Sequence, residues 1–243
     1  MCYATSLTKS ETEIQEKFNR NFAIPFVYQK HYHINGFNKN QYLHIIPQGR
    51  ASIYPSDWGL IPNSSIEDIE AFSSKYRTLN ARSETIFTSI TYRESAMYQR
   101  CLIIADGFFE PHHYKEQPQP YYCQLEGHQL FAFAGLCTNL DDELYSASII
   151  TVSANDQFEK IHNKKKRMPL VLDDQFLGNW IEEGLSQNQI KELMNIGFTK
   201  TPFITYPVSN NIYKKNIESD IESILDPVTP IDPELGGFKD TLF

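Results

Sequence analysis

The sequence predicts an α+β fold, a single domain with a β-rich, barrel-like and mostly antiparallel core flanked by helices. Three observations predict it. Apolar runs of strand length crowd the middle of the chain, at residues 101–105, 121–125, 130–136 and 147–153. Helical spacing is confined to segments on either side of them, without βαβ alternation. At 243 residues and 41% hydrophobic content, the chain can also bury one generous core.

In order along the chain, residues 10–21 read as a helix. Ser10 and Glu13 have the spacing of a capping box, and Ile14 and Phe18 repeat at i, i+4. Residues 24–48 are aromatic and β-branched, punctuated by Pro25, Asn35-Gly36 and Pro47, which predicts short strands and turns. Residues 65–72 suit a short helix, and a further helix is expected to open at Ser83. Residues 100–109 form a strand that turns at Asp106-Gly107. Two helices, 174–183 and 187–195, are separated by Gly184. Beyond Ile224, the spacing of Pro227, Pro230 and Pro233 and then Gly236-Gly237 reads as irregular. The division expected is a body, 1–217, and an acidic tail, 218–243, that hangs in solvent rather than folding over a groove.

The net charge of −8 is unevenly spread. From Glu218 onward there are seven acids and one lysine, so the body holds 21 bases against 23 acids and is nearly neutral. Such a body can carry a basic groove, and one basic run stands out, Lys164-Lys165-Lys166-Arg167. Cys2, Cys101, Cys123 and Cys137 show neither a C-x-x-C pair nor zinc-ligand spacing, so no metal, cofactor or disulfide framework is expected. Neither a secretory signal nor a run approaching roughly 18 apolar residues is present, which points to a cytoplasmic chain with no membrane segment.

Four places carry chemistry. Removal of Met1 would leave Cys2 with a free α-amine and a thiol on adjacent carbons. An amine with a pKa of about 7.7–8.0 is substantially neutral near pH 7 and forms a Schiff base with an aldehyde. The thiol then closes a five-membered thiazolidine. Asn80-Ala81-Arg82-Ser83-Glu84-Thr85 sets an amide and a guanidinium before the expected helix start, where a phosphate is readily held. Glu110 closes an apolar strand behind Phe108-Phe109, where burial would raise its pKa and make it a general acid. His162 precedes the basic run and is suited to moving protons near neutral pH. Each also has an ordinary reading: a disordered terminal cysteine, a helix cap, a rim carboxylate, a loop histidine.

Taken in order, Met1-Cys2, Trp58-Gly59-Leu60-Ile61-Pro62, residues 80–85, residues 100–110, Ile161-His162 with Arg167-Met168-Pro169, and Tyr206-Pro207-Val208-Ser209 resemble the SOS-response-associated peptidase (SRAP) family over residues 1 to about 210. The resemblance implies a monomer that attaches covalently to abasic sites in single-stranded DNA. It assigns Cys2 as the thiazolidine-forming nucleophile, Asn80 as a hydrogen-bonding group for the amine or opened sugar, Glu110 as acid and base, and His162 as proton shuttle. Arg82 and Arg167, with Lys165 or Lys166, would contact phosphates, and Trp58 would lie along the DNA. The chain departs from the family with Tyr3-Ala4 after Cys2, Asn63-Ser64 where a tryptophan is usual, and a longer link from His162 to Arg167. Two other functions fit these residues: a thiol peptidase or amidohydrolase using Cys2, His162 and Glu110, and a non-covalent single-strand binder.

Overall fold

Alternating side chains build the centre of the molecule. The computed structural model describes residues 2–24, 28–38 and 41–235; Met1, Pro25 and Gly236-Gly237 lie outside them. In chain order the elements are β1 (Ala4–Leu7), α1 (Glu11–Phe18), β2 (Asn21–Phe22), β3 (His31–Asn35), β4 (Tyr42–Pro47) and β5 (Ser52–Trp58). Next come α2 (Ile69–Lys75), β6 (Asn80–Arg82), α3 (Arg93–Tyr98), β7 (Arg100–Ala105), β8 (Gly107–Tyr114), β9 (Gln117–Leu125), β10 (Phe131–Asn139) and β11 (Tyr145–Ser153). The last are α4 (Asp156–Ile161), β12 (Arg167–Pro169), β13 (Val171–Leu172), α5 (Leu177–Trp180), α6 (Gln187–Ile196) and β14 (Phe203–Pro207).

Strands β11, β10, β7, β4 and β5 pair in succession, and a parallel β11–β5 pairing (Tyr145 opposite Ser56) closes them into a ring. That ring is the barrel-like core, with β2, β6, β12 and β13 added at its rims. A second, antiparallel sheet runs β14-β9-β8-β1-β3. The chain crosses from one sheet to the other at Asp106, between β7 and β8. Its buried carboxylate accepts from Ser6 Oγ (2.7 Å) and from both the backbone and hydroxyl of Thr8 (2.6 Å each), so the corner is fixed by β1 and the residues after it.

Period-two alternation sorts the side chains into layers. Ile103 and Ala105 of β7 join Phe108, Tyr121 and Cys123 in a core between the ring and the second sheet, while Leu102 and Ile104 face a core with α1, α5 and α6. Phe109 and Tyr122 point the other way, under Val208, Ile212 and Ile224. The alternation that sends Phe108 inward therefore sends Glu110 and His112 inward as well, and both are buried.

The capping box at Ser10 and Glu13 forms as read, and α1 ends at Asn19 in a left-handed conformation. The helix expected at Ser83 does not form. The Ser83 N–H, expected to be an exposed helix-start donor, instead bonds the Thr151 carbonyl (3.0 Å), extending the β6–β11 pairing, and turns follow. Residues 218–235 also differ from expectation: they lie along the second sheet instead of in solvent. Asp220 Oδ1 accepts from the N–H groups of Tyr32 (2.6 Å) and His33 (3.1 Å), Ile224 is buried, and Val228 N–H donates to Pro207 O. Among the described residues no helix is long and apolar enough to cross a membrane.

Candidate active site

Cys2 is fully buried just before β1, in the core between the two sheets, with its Sγ 3.5 Å from the Ala4 carbonyl. Asn80 reaches it from β6. Its Nδ2 donates to the Cys2 carbonyl (2.8 Å), and Tyr92 OH donates to the Asn80 carbonyl (3.1 Å). Asn80 Oδ1 is buried with no hydrogen-bond partner among the described residues, an acceptor available to a ligand. Trp58 supports this edge rather than standing free. It is half-buried, and its Nε1 donates to Leu79 O (2.9 Å) beside Asn80. Gly36 passes so close that a Cβ there would sit 2.9 Å from Trp58 Cδ2.

Glu110 and His162 form the second half of the cluster. Glu110 Oε2 lies 3.3 Å from His162 Nδ1, and both residues are buried. That nitrogen is also 2.9 Å from the Arg167 carbonyl, which can only accept, so Nδ1 carries the proton. Burial pushes Glu110 up to about 7 and His162 down to about 4. Near neutral pH the imidazole is therefore uncharged and the carboxyl is poised between its two forms, so their close contact is not a full ion pair. Burial also pushes the Cys2 thiol well above its usual range, and the nearby Glu110 carboxylate adds to the rise. Cys123, opposite Phe108 on β9, responds to the same two neighbours after its own burial.

The basic residues separate into two groups. Arg167 is buried and its guanidinium is occupied by Glu84, in a two-point contact, and by the Thr151 carbonyl and hydroxyl. The fork expected to clamp a phosphate is thus filled from within the protein. Lys164 pairs with Glu116 (2.6 Å) and Lys166 with Glu159 (3.4 Å). Arg82 remains largely exposed, with its Nε 4.0 Å from Glu84, and Lys165 is exposed. Glu84 and Tyr92 were not singled out from the sequence. Glu84 lies in the same short motif as Asn80 and Arg82, and a buried guanidinium needs acceptors for its donors.

Cys2, Asn80, Glu110 and His162 thus converge from four separate stretches of the chain: the Asn80 amide holds the Cys2 carbonyl, and Glu110, paired with His162, is near enough to raise the Cys2 thiol's pKa. Fold and site together define a mixed α+β protein whose reactive groups surround the start of its chain. The chain belongs to the SOS response associated peptidase (SRAP) family, whose description matches residues 1–215. It is 31% identical over 189 residues to the abasic site processing protein YoqW of Bacillus subtilis (strain 168), spanning 74% of this chain and 80% of that one. It is 31% identical over 151 residues to the abasic site processing protein HMCES of Xenopus tropicalis, spanning 52% of this chain and 44% of that one. A crystal structure of a protein from Bacteroides thetaiotaomicron superposes with a TM-score of 0.80 at 26% identity, covering 94% of this chain and all of that one.

Proposed function

We propose that this protein recognises abasic sites in single-stranded DNA and, once Met1 is removed, captures them covalently through Cys2. The observation that supports the reading is a buried Cys2 whose carbonyl is held by Asn80 and whose thiol feels the buried Glu110 carboxyl paired with His162. Relatives named as abasic site processing proteins support the substrate.

The deoxyribose at an abasic site is mostly a closed hemiacetal, and protonated Glu110 supplies the acid that opens it to the aldehyde. The Cys2 α-amine adds to C1′, and loss of water gives the imine. The thiol then adds its sulfur to the imine carbon while its proton passes to the imine nitrogen by way of the Glu110 carboxylate. Thiazolidine closure removes the iminium that would otherwise drive β-elimination and strand scission. Arg82 and Lys165, both exposed, contact flanking phosphates, and Arg167 organises Glu84 and the His162 loop.

Hydrolysis by a cysteine–histidine ion pair needs a lowered thiol pKa and a raised imidazole pKa. Both groups here move the opposite way. Incubation with a uracil-glycosylase-treated single-stranded oligonucleotide, read by denaturing gel and intact mass, tests the proposal. A heat-stable adduct is expected, lost in Cys2→Ala and lost when borohydride first reduces the lesion. Absence of an adduct in protein shown to lack Met1 overturns it.

A further inference from the structure

Strand β8 carries Glu110 and, two and three residues on, the groups that hold its partner His162. His112 Nδ1 lies 2.9 Å from Lys160 O and 3.2 Å from Ile161 O, the last carbonyls of α4. Carbonyls only accept, so this nitrogen donates, satisfying a helix end that has no internal partner. On the other side of His162, Asn163 and His113 bond reciprocally: Asn163 Nδ2 donates to His113 O (2.8 Å) and His113 N–H donates to Asn163 Oδ1 (3.1 Å). His162 is therefore clamped before and after by consecutive residues of the strand that presents Glu110.

The other ring nitrogen of His112 faces the C-terminal segment. Nε2 is 2.9 Å from Asp232 Oδ2, with both side chains largely out of water. Asp232 is itself held in register with β9. Ile231 N–H donates to Gln119 Oε1 (2.8 Å), Gln119 Nε2 donates to Thr229 O (3.1 Å), and Gln119 sits opposite His112 in the β8–β9 pairing. Tyr121 also lies against His112, edge-on at 5.7 Å between ring centres, and His113 is adjacent to it. Asp232 lies beyond the 215 residues that match the family.

We propose that Asp232 and His112 are positioning residues for His162, so that the C-terminal acidic segment is a working part of the site rather than an appendage. The inference rests on the function proposed above for its catalytic consequence, but not for its structural one. Asp232 fixes the His112 ring, the ring fixes the end of α4, and that end sets His162 against Glu110.

The test compares wild type with Asp232→Asn, His112→Gln and their double variant, using Asp220→Asn as a control that loosens the same segment at its far end. Two readouts are taken: the His162 ring resonance in the DNA-free protein from below its own pKa of about 4 to above that of Glu110 at about 7, and the pH profile of single-turnover crosslinking to an abasic oligonucleotide. Asp232→Asn is expected to move the His162 signal and its titration, shift the pH profile and slow crosslinking about tenfold, within the usual contribution of a proton-transfer group. Adding Asp232→Asn to His112→Gln should change neither readout further, and Asp220→Asn should leave the profile in place. A His162 resonance and titration unchanged in Asp232→Asn overturns the proposal. Failure of the wild type to form any adduct would overturn the proposed function instead, and the resonance comparison would still decide this inference.

Discussion

Replacing Glu110 with glutamine should make the protein more stable and less active, by amounts that depend on pH. The carboxyl is fully buried, and burial lifts its pKa from 4.5 to about 7. A displacement of that size corresponds to about 3 kcal/mol between the two protonation states. Between those pH values the folded chain keeps a proton that the unfolded chain releases, so stability is fullest below 4.5 and falls as pH rises toward 7. Glutamine has nearly the same shape and cannot ionise. Glu110→Gln should therefore match wild type near about pH 4 and exceed it by up to about 3 kcal/mol near about pH 8, as read from urea unfolding at the two values. Over the same range its crosslinking should be slower by about 10²-fold or more, the usual loss when a general acid–base is removed. If variant and wild type lose stability in parallel as pH rises, the Glu110 carboxyl is not held in the desolvated state described. If the variant crosslinks at the wild-type rate, its acid–base role is wrong.

Asn80→Ala removes the bond to the Cys2 carbonyl and should cost about 1 kcal/mol of stability while slowing adduct formation more than it weakens binding to a non-reactive tetrahydrofuran analogue of the lesion. Equal losses in both assays would make Asn80 a plain binding residue. Arg82→Ala should weaken binding alike across sequences and reduce the slope of log affinity against log salt by about 0.7, the signature of one lost single-strand phosphate contact. An unchanged slope would remove Arg82 from the DNA path. Gly107→Ala should destabilise the fold by about 3 kcal/mol, because a methyl there overlaps the Tyr122 hydroxyl that hydrogen-bonds Ser6 (2.9 Å) at the corner between the sheets. A urea midpoint equal to wild type would show that the Tyr122 ring has room to retreat.

Strand content, the α1 cap and the barrel-like α+β core were legible in the sequence because alternation and capping are local signals. Closure of the ring through the parallel β11–β5 pairing was not, since register between distant strands has no local signature. The Ser83 start failed for the same reason: the Thr151 carbonyl that takes its N–H lies far along the chain. Cys2, Asn80, Glu110 and His162 could be named from residue chemistry and the family resemblance, and the fold brings them together. Arg167 was visible as a cation but its engagement with Glu84 was not. The acids of the tail looked solvated because runs of charge usually are. Asp220 instead accepts from backbone N–H groups, and Asp232 lies 2.9 Å from an imidazole nitrogen across the sheet, partners only the fold supplies.

The electrostatics of the cluster also bear on the order of steps in the proposed capture. A thiol held well above its usual pKa does not wait as a thiolate, so it is protected from stray electrophiles and is a poor first nucleophile. The α-amine, exchanging its proton near neutrality, attacks first. The imine it forms carries the positive charge that a desolvated thiol lacks at rest, and a cation beside Cys2 and Glu110 lowers the pKa of both by the same argument that burial raised them. Thiol activation is then conditional on an aldehyde already having reacted. A carboxyl resting near 7 can act as acid in sugar opening and as base in ring closure within one encounter, which a carboxylate at 4.5 could not do at neutral pH. The burial that penalises Glu110 in the empty protein is thus the property that lets a single residue serve both steps.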